Sequence, residues 1–174
     1  MPATKAAPKP VAKIKTAPQA DDSLLGQKVP TFALPTGDGD NVNSKALLGK
    51  PYVLYFYPKD DTPSCTVQAC NLRDNYSMLF KKGFQIIGIS TDTTKSHQKF
   101  ATKYQLPFPL IPDEDHAIAE KYGVWGLKKF MGREYIGMHR TTFLIDEKGK
   151  IKHVITKPIT KKHAQQVLEA WSSE

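Results

Sequence analysis

Residues 52 to 57, Tyr-Val-Leu-Tyr-Phe-Tyr, form an unbroken apolar and aromatic run without a charged side chain. A strand of this kind has to be covered on both faces, which argues for helices packed on either side of a sheet. Pro58 ends the run, because proline cannot donate to a sheet ladder. Shortly after it, Thr62 and Pro63 make a helix entrance. Threonine is a favoured N-cap, and proline suits the first helical position, where its missing N–H would have had no partner. Strand, turn and helix start therefore follow one another directly.

Cys65 then falls in the first helical turn. Free backbone N–H groups and the positive end of the helix dipole meet there, and both stabilise an anion. The thiolate is the nucleophilic form of cysteine. Ala69, Leu72, Tyr76 and Leu79 continue from Cys65 at steps of four and three, one apolar stripe facing a core. The plain alternative is a small buried cysteine that merely opens this stripe. The Thr-Pro-x-Cys entrance favours a reactive thiol instead.

The only other cysteine is Cys70. Two cysteines are too few for a disulfide-dense scaffold, and their spacing matches neither Cys-x-x-Cys nor a zinc pattern, so a redox or catalytic pair is the better reading. His97, His116, His139, His153 and His163 show no ligand spacing, and no metal or cofactor is expected. Tyr57 is read as strand packing. His139 and Arg140 are neighbours on an expected strand and must face opposite sides of it.

The chain has 174 residues and a net charge of +8. Lys5, Lys9, Lys13 and Lys15 supply four of those charges before the first acid, Asp21, which leaves a mildly basic remainder of +4 (8 − 4). Residues 1–22 are rich in Pro, Ala and Lys and are expected to form a disordered tail, because they cannot bury enough surface to offset ordering. The folded domain is then expected over 23–174. A solvated tail is the expected role of these lysines, rather than a nucleic-acid contact. The tail carries no Arg, and its prolines oppose the amphipathic helix of a transit peptide. With no signal-like or membrane-length apolar segment in view, the expected localisation is cytoplasmic.

Along the rest of the chain, 31–34 reads as a short strand, 37–41 as a turn and 43–48 as a short helical or irregular piece. The Cys65 helix is expected to end near Lys82-Gly83, with glycine as its cap. Strands are expected over 84–90, 139–146 and 151–156, with a proline-punctuated edge piece at 107–112. Helices are expected over 94–104 and 113–122, and from Thr160 with Ala164, Val167, Leu168 and Trp171 on one stripe. Lys128 to Gly137 reads as a loop, and Glu147-Lys148-Gly149-Lys150 as a hairpin turn. The succession predicts an α/β fold with a mixed central sheet and flanking helices.

Pro58-x-x-x-Thr62-x-x-Cys65 resembles the active-site pattern of peroxiredoxins, and Cys70 resembles the resolving cysteine of their Q-type branch, the bacterioferritin comigratory proteins. Tyr122-Gly123-Val124-Trp125-Gly126 and Arg140-Thr141-Thr142-Phe143-Leu144-Ile145-Asp146 are similar to two further blocks of that family. The resemblance covers Leu25 to Trp171. Ser64 stands where the family usually has Gly, and Leu127 where Glu is common. The resemblance implies a thioredoxin-like fold and a peroxidase acting on hydrogen peroxide and organic hydroperoxides. It further implies a Cys65 sulfenic acid, a Cys65–Cys70 disulfide and a dithiol reductant such as thioredoxin. Arg140 would be the active-site arginine, Thr62 would hydrogen-bond the peroxide and Pro58 would shield the thiolate. Q-type relatives suggest a monomer. The competing expectation is a non-enzymatic redox-sensing or nucleic-acid-associated protein anchored by its basic arm.

Overall fold

The computed structural model describes residues 24–30, 32–35 and 41–172; the expected tail and most of the 37–41 turn lie outside the described residues. A small antiparallel hairpin, β1 (Ala33–Pro35) with β2 (Asn41–Asn43), comes first. The apolar run becomes β3 (Tyr52–Phe56), with every side chain buried. Helices α1 (Pro63–Asp74) and α2 (Tyr76–Lys81) cross over to β4 (Gln85–Ser90), which pairs in parallel with β3. Next come α3 (Thr94–Tyr104), the short β5 (Leu110–Pro112) and α4 (Ala117–Lys121). The chain ends with β6 (Trp125–Phe130), β7 (Arg133–Met138), β8 (Thr141–Ile145), β9 (Ile151–Ile155) and α5 (His163–Ser172).

The central sheet has the order β5-β4-β3-β8-β9, with β8 antiparallel to both of its neighbours. Side chains alternate across a strand, so β3 feeds two cores. Tyr52, Leu54 and Phe56 pack with Ile87, Ile89, Phe143 and residues of α4. Val53, Tyr55 and Tyr57 pack on the opposite face with Cys65, Ala69, Leu72, Phe100 and Val167, that is, with α1, α3 and α5. The mixed sheet and flanking helices are those expected. Close packing on the Cys65 side has no slack at Gly88, where a Cβ would meet Leu110 Cδ2 at 2.7 Å and the Tyr55 hydroxyl at 3.0 Å.

Four local expectations need correction. The Cys65 helix does not run unbroken to Lys82. It breaks at Asn75, whose side-chain amide and backbone N–H both donate to the Asn71 carbonyl, at 2.8 and 3.2 Å. A short amide side chain competes here with the helix ladder. The 113–122 helix is shorter at its start. The buried Asp113 carboxylate accepts from the N–H groups of Ile118 and Ala119, and His116 takes a φ of 50°, so helix begins only at Ala117.

Residues 128–137 are not a loop, since β6 and β7 pair from Trp125↔Met138 to Phe130↔Arg133. Met131 and Gly132 turn the hairpin with φ of 50° and 76°, the positive pair that a two-residue loop demands. Phe130 and Met131 are exposed, so the hairpin lacks the inside-outside alternation that marks a half-buried strand. Finally, a 3-10 turn over Thr160–Lys162 precedes α5, so Thr160 does not cap the α-helix itself.

Candidate active site

Cys65 lies in the first turn of α1 and is 2% exposed. Thr62 is the N-cap by backbone conformation, and its carbonyl accepts from the Thr66 N–H at 2.8 Å. Its hydroxyl does not cap the helix, contrary to the usual role of threonine at this position. It donates instead to the Lys59 carbonyl at 2.9 Å, bracing the turn and leaving an oxygen able to accept. Pro58, half-buried, follows directly on Tyr57, whose backbone N–H still bonds the Ile89 carbonyl.

Arg140, just ahead of β8, comes from the far side of the sequence to the same point. Its Nη2 donates to Cys65 Sγ at 3.3 Å, and its Nη1 donates to Gln68 Oε1. A planar guanidinium can serve two acceptors at once, and here one of them is the sulfur. Gln68 is fully buried, and its Nε2 has no hydrogen-bond partner among the described residues. It orients the arginine without neutralising it. Lys128 of β6 donates to the Met138 carbonyl at 2.7 Å. Burial lowers its pKa, the charge of Arg140 lowers it further, and Cys65 opposes both. Tyr55, beneath the site, has its hydroxyl pKa raised by burial first and then by the field of Cys65.

Among known proteins, the AhpC/TSA family matches residues 25–154. Peroxiredoxin Bcp of Escherichia coli strain K12 is 49% identical over 149 residues, which are 86% of this chain and 95% of that protein. Peroxiredoxin Bcp of Bacillus subtilis is 43% identical over 83% of this chain and 92% of its own length. The chain belongs to the AhpC/TSA family, as a Q-type peroxiredoxin. Its fold agrees. Solved Peroxiredoxin Q from Xanthomonas campestris superposes with a TM-score of 0.77 at 33% identity, covering 82% of this chain and 90% of that one. BcpB from Mycobacterium tuberculosis gives 0.75 at 32%, covering 86% and 96%. The sheet and helices are thus those of the thioredoxin-like peroxiredoxin fold, and the chain is a peroxidase that works through thiol chemistry.

In this peroxiredoxin Cys70 is half-buried and shares α1 with Cys65, and both cysteines are free thiols. His139 Nε2 donates to the Leu127 carbonyl at 3.0 Å while Arg140 reaches the thiol, so the two neighbours diverge as expected, although they lie between β7 and β8 and the strand expected from 139 begins only at Thr141. Burial lowers the His139 pKa. Tyr57 packs in the core, and its hydroxyl donates to Asp60 at 2.6 Å.

Gln68 and Lys128 were not legible as site residues. Gln68 had a usable signal, since a polar residue three positions after Cys65 lies on the same helix face. Lys128 had none, because the segment carrying it did not read as a strand. Asp60 and His97 were also missed. They stand with Asp92 in a cluster whose ligand-type atoms lie within 4.8 Å of one another. Among the described residues no helix is long and apolar enough to cross a membrane.

Proposed function

We propose that Cys65 is the thiolate that reduces the peroxide. Its sulfur attacks one peroxide oxygen, the O–O bond breaks, and the second oxygen leaves with the bonding pair and takes up a proton. Cys65 is then a sulfenic acid. Arg140 supports both ends of the step, because its charged fork can stabilise the sulfur and the departing oxyanion. The Thr62 hydroxyl bonds the bound peroxide, and Pro58 keeps water from the sulfur.

The Cys70 thiol next condenses with the sulfenic acid, forming the Cys65–Cys70 disulfide and releasing water. A dithiol such as thioredoxin resets the enzyme by exchange. The observation that supports this reading best is the 3.3 Å contact of Arg140 Nη2 with Cys65 Sγ at a helix N-terminus. Hydrogen peroxide and organic hydroperoxides both fit the chemistry. Alkyl peroxide reduction is described for the bacterioferritin comigratory protein of Xanthomonas campestris, 32% identical over 82% of this chain and 90% of that one, with a TM-score of 0.76. A monomer working in the cytoplasm, with a folded domain over 23–174, completes the reading.

Peroxide consumption coupled to thioredoxin and its reductase tests it. Cys65→Ser abolishes turnover. Cys70→Ser reacts once and stops at a sulfenic acid open to further oxidation, visible by mass. Turnover that survives loss of Cys65 reverses the assignment.

A further inference from the structure

The loop between β3 and α1 carries Pro58 and Thr62, and the Thr62–Lys59 bond is not all that holds it. Asp61 sits at φ 55°, a left-handed conformation that a non-glycine side chain rarely adopts. Such a backbone persists only where its surroundings impose it.

The surroundings act on the surface through Asp61, which accepts from Lys103 Nζ at 2.8 Å and from the Tyr104 hydroxyl at 2.9 Å, and in the interior through Asp60. Its side chain is 3% exposed. Oδ1 accepts from the Tyr57 hydroxyl at 2.6 Å, and Oδ2 accepts from Ser96 Oγ at 2.8 Å and shares a hydrogen bond with His97 Nδ1 at 2.7 Å. The Asp60 backbone N–H donates to Asp92 Oδ2 at 2.8 Å, and the same oxygen accepts from Ser90 Oγ at 2.6 Å. His97, on α3, is itself buried, and its Nε2 donates to the Ile111 carbonyl of β5 at 3.0 Å.

Both ring nitrogens of His97 therefore face acceptors. The two residues form a buried hydrogen-bonded pair. Both Asp60 carboxylate oxygens, Asp92 Oδ2 and His97 Nδ1 are hydrogen-bonded to one another's residues or to Tyr57, Ser90 and Ser96.

Apolar side chains could fill the same space at no loss of stability, because even a buried ion pair is often matched by a hydrophobic replacement. What apolar contacts cannot do is fix a loop in direction. Directed bonds from Tyr57, from Asp92 just after β4 and from Ser96 and His97 of α3 converge on Asp60, with His97 tied in turn to β5; among the described residues none of them comes from α1.

We propose that the His97–Asp60 pair is a positioning device for the peroxide step. It fastens the Pro58–Thr62 loop to the sheet and α3, adding to the hold of α1 on Thr62 and keeping the Thr62 hydroxyl in place. The inference rests on the peroxide-facing role of Thr62 proposed above. Neither His97 nor Asp60 touches a reacting atom.

The test exploits the two ends of the ring. An asparagine amide nitrogen stands near the place of Nδ1, and a glutamine amide nitrogen near that of Nε2. His97→Asn keeps a donor toward Asp60, whereas His97→Gln keeps the donor toward Ile111 and loses Asp60. Two rates are measured on the full chain: the single-turnover reaction of Cys65 with hydrogen peroxide, and its alkylation by iodoacetamide. Alkylation reads the reactivity of the sulfur without the peroxide-holding groups.

For His97→Gln the peroxide rate falls about 10- to 100-fold, the scale of an ångström-sized misplacement, while alkylation stays near the parent rate. His97→Asn recovers most of the loss. Ser96→Ala removes one hydroxyl from a half-exposed position and threatens folding least; it gives a smaller fall in the same rate alone. Equal losses in the Asn and Gln variants, parallel falls in peroxide and alkylation rates, or a Ser96→Ala peroxide rate equal to the parent's each overturn the inference. Failure of the underlying reading shows separately, as peroxide consumption that survives Cys65→Ser.

Discussion

Arg140 has two acceptors, and only one of them can carry a charge. Had the Gln68 position held a carboxylate, the guanidinium would have been neutralised from the side; the amide oxygen orients it and leaves its field for Cys65. A second buried group feels the same field. His163 Nδ1 donates to Gln166 Oε1 at 3.0 Å, so its Nε2 accepts from the Thr142 hydroxyl at 2.9 Å. The ring is neutral in this arrangement. Burial chiefly, with Arg140 adding to it against the Gln166 bond, lowers its pKa from 6.5 to about 4. In the unfolded chain the ring takes up its proton at the ordinary value, so between these two values the unfolded state binds more protons than the folded one. Stability is therefore complete above about pH 6.5, declines as the pH falls toward 4, and loses nothing further from this group below that. The loss is on the order of 3 kcal/mol. Denaturant unfolding between pH 4 and 7 is expected to show a shallower acid decline in His163→Gln than in the parent; identical slopes would remove His163 as the cause.

The two thiols lie on one helix, unbroken from Pro63 to Asp74. Five residues of helix separate them by about 7.5 Å along the axis and turn the second side chain roughly 140° from the first. A disulfide needs Cα atoms about 4.4 to 6.8 Å apart with converging Cβ vectors. The proposed Cys65–Cys70 bond therefore requires the turn between Thr66 and Cys70 to unwind. The next residue resists that movement. Asn71 Nδ2 donates to the Lys161 carbonyl at 2.9 Å, and Asn71 Oδ1 accepts from the Ala164 N–H at 2.8 Å, tying α1 to the start of α5. Arg73 adds a bond to the Tyr104 carbonyl at 2.7 Å. Each such bond is worth about 1 kcal/mol net. Hydrogen exchange is expected to show lower protection over 66–72 in the disulfide form than in the dithiol, with Asn71→Ala forming the disulfide faster after a peroxide pulse. Equal protection in both forms, with the disulfide confirmed by mass, would show that Cys70 is the wrong partner or that the helix bends differently.

For the molecule as a whole, charge and core belong to different parts of the chain. Half of the +8 sits on Lys5, Lys9, Lys13 and Lys15. Among the described residues, the buried members of both cores run from Phe32 onward, with Leu24 and Val29 packed against one of them. Removing residues 1–22 is accordingly expected to leave the melting temperature and peroxide turnover unchanged. A melting temperature lowered by the deletion would show that the arm packs on the domain. Binding to DNA that weakens with salt and vanishes on deletion would give the arm a second role, through release of counterions from the phosphates.

The sequence by itself determined the buried strand, the entrance at Thr62-Pro63 and the place of Cys65 in the first turn. Each of these rests on local rules: proline's missing N–H, the helix repeat, and the alternation of a strand. Tertiary structure decided what required partners distant in the chain. It brought Arg140 to Cys65 across 75 residues and His97 to Asp60 across 37. It also made strands of 125–138, because the β6–β7 hairpin is mostly exposed and has no apolar alternation to announce it. Thr62 shows the boundary most sharply. Its identity predicted a cap, but the Lys59 carbonyl, presented by a loop held through Asp60, took the hydroxyl instead. Local propensity states what a side chain is able to bond, and only the folded chain decides which acceptor arrives first.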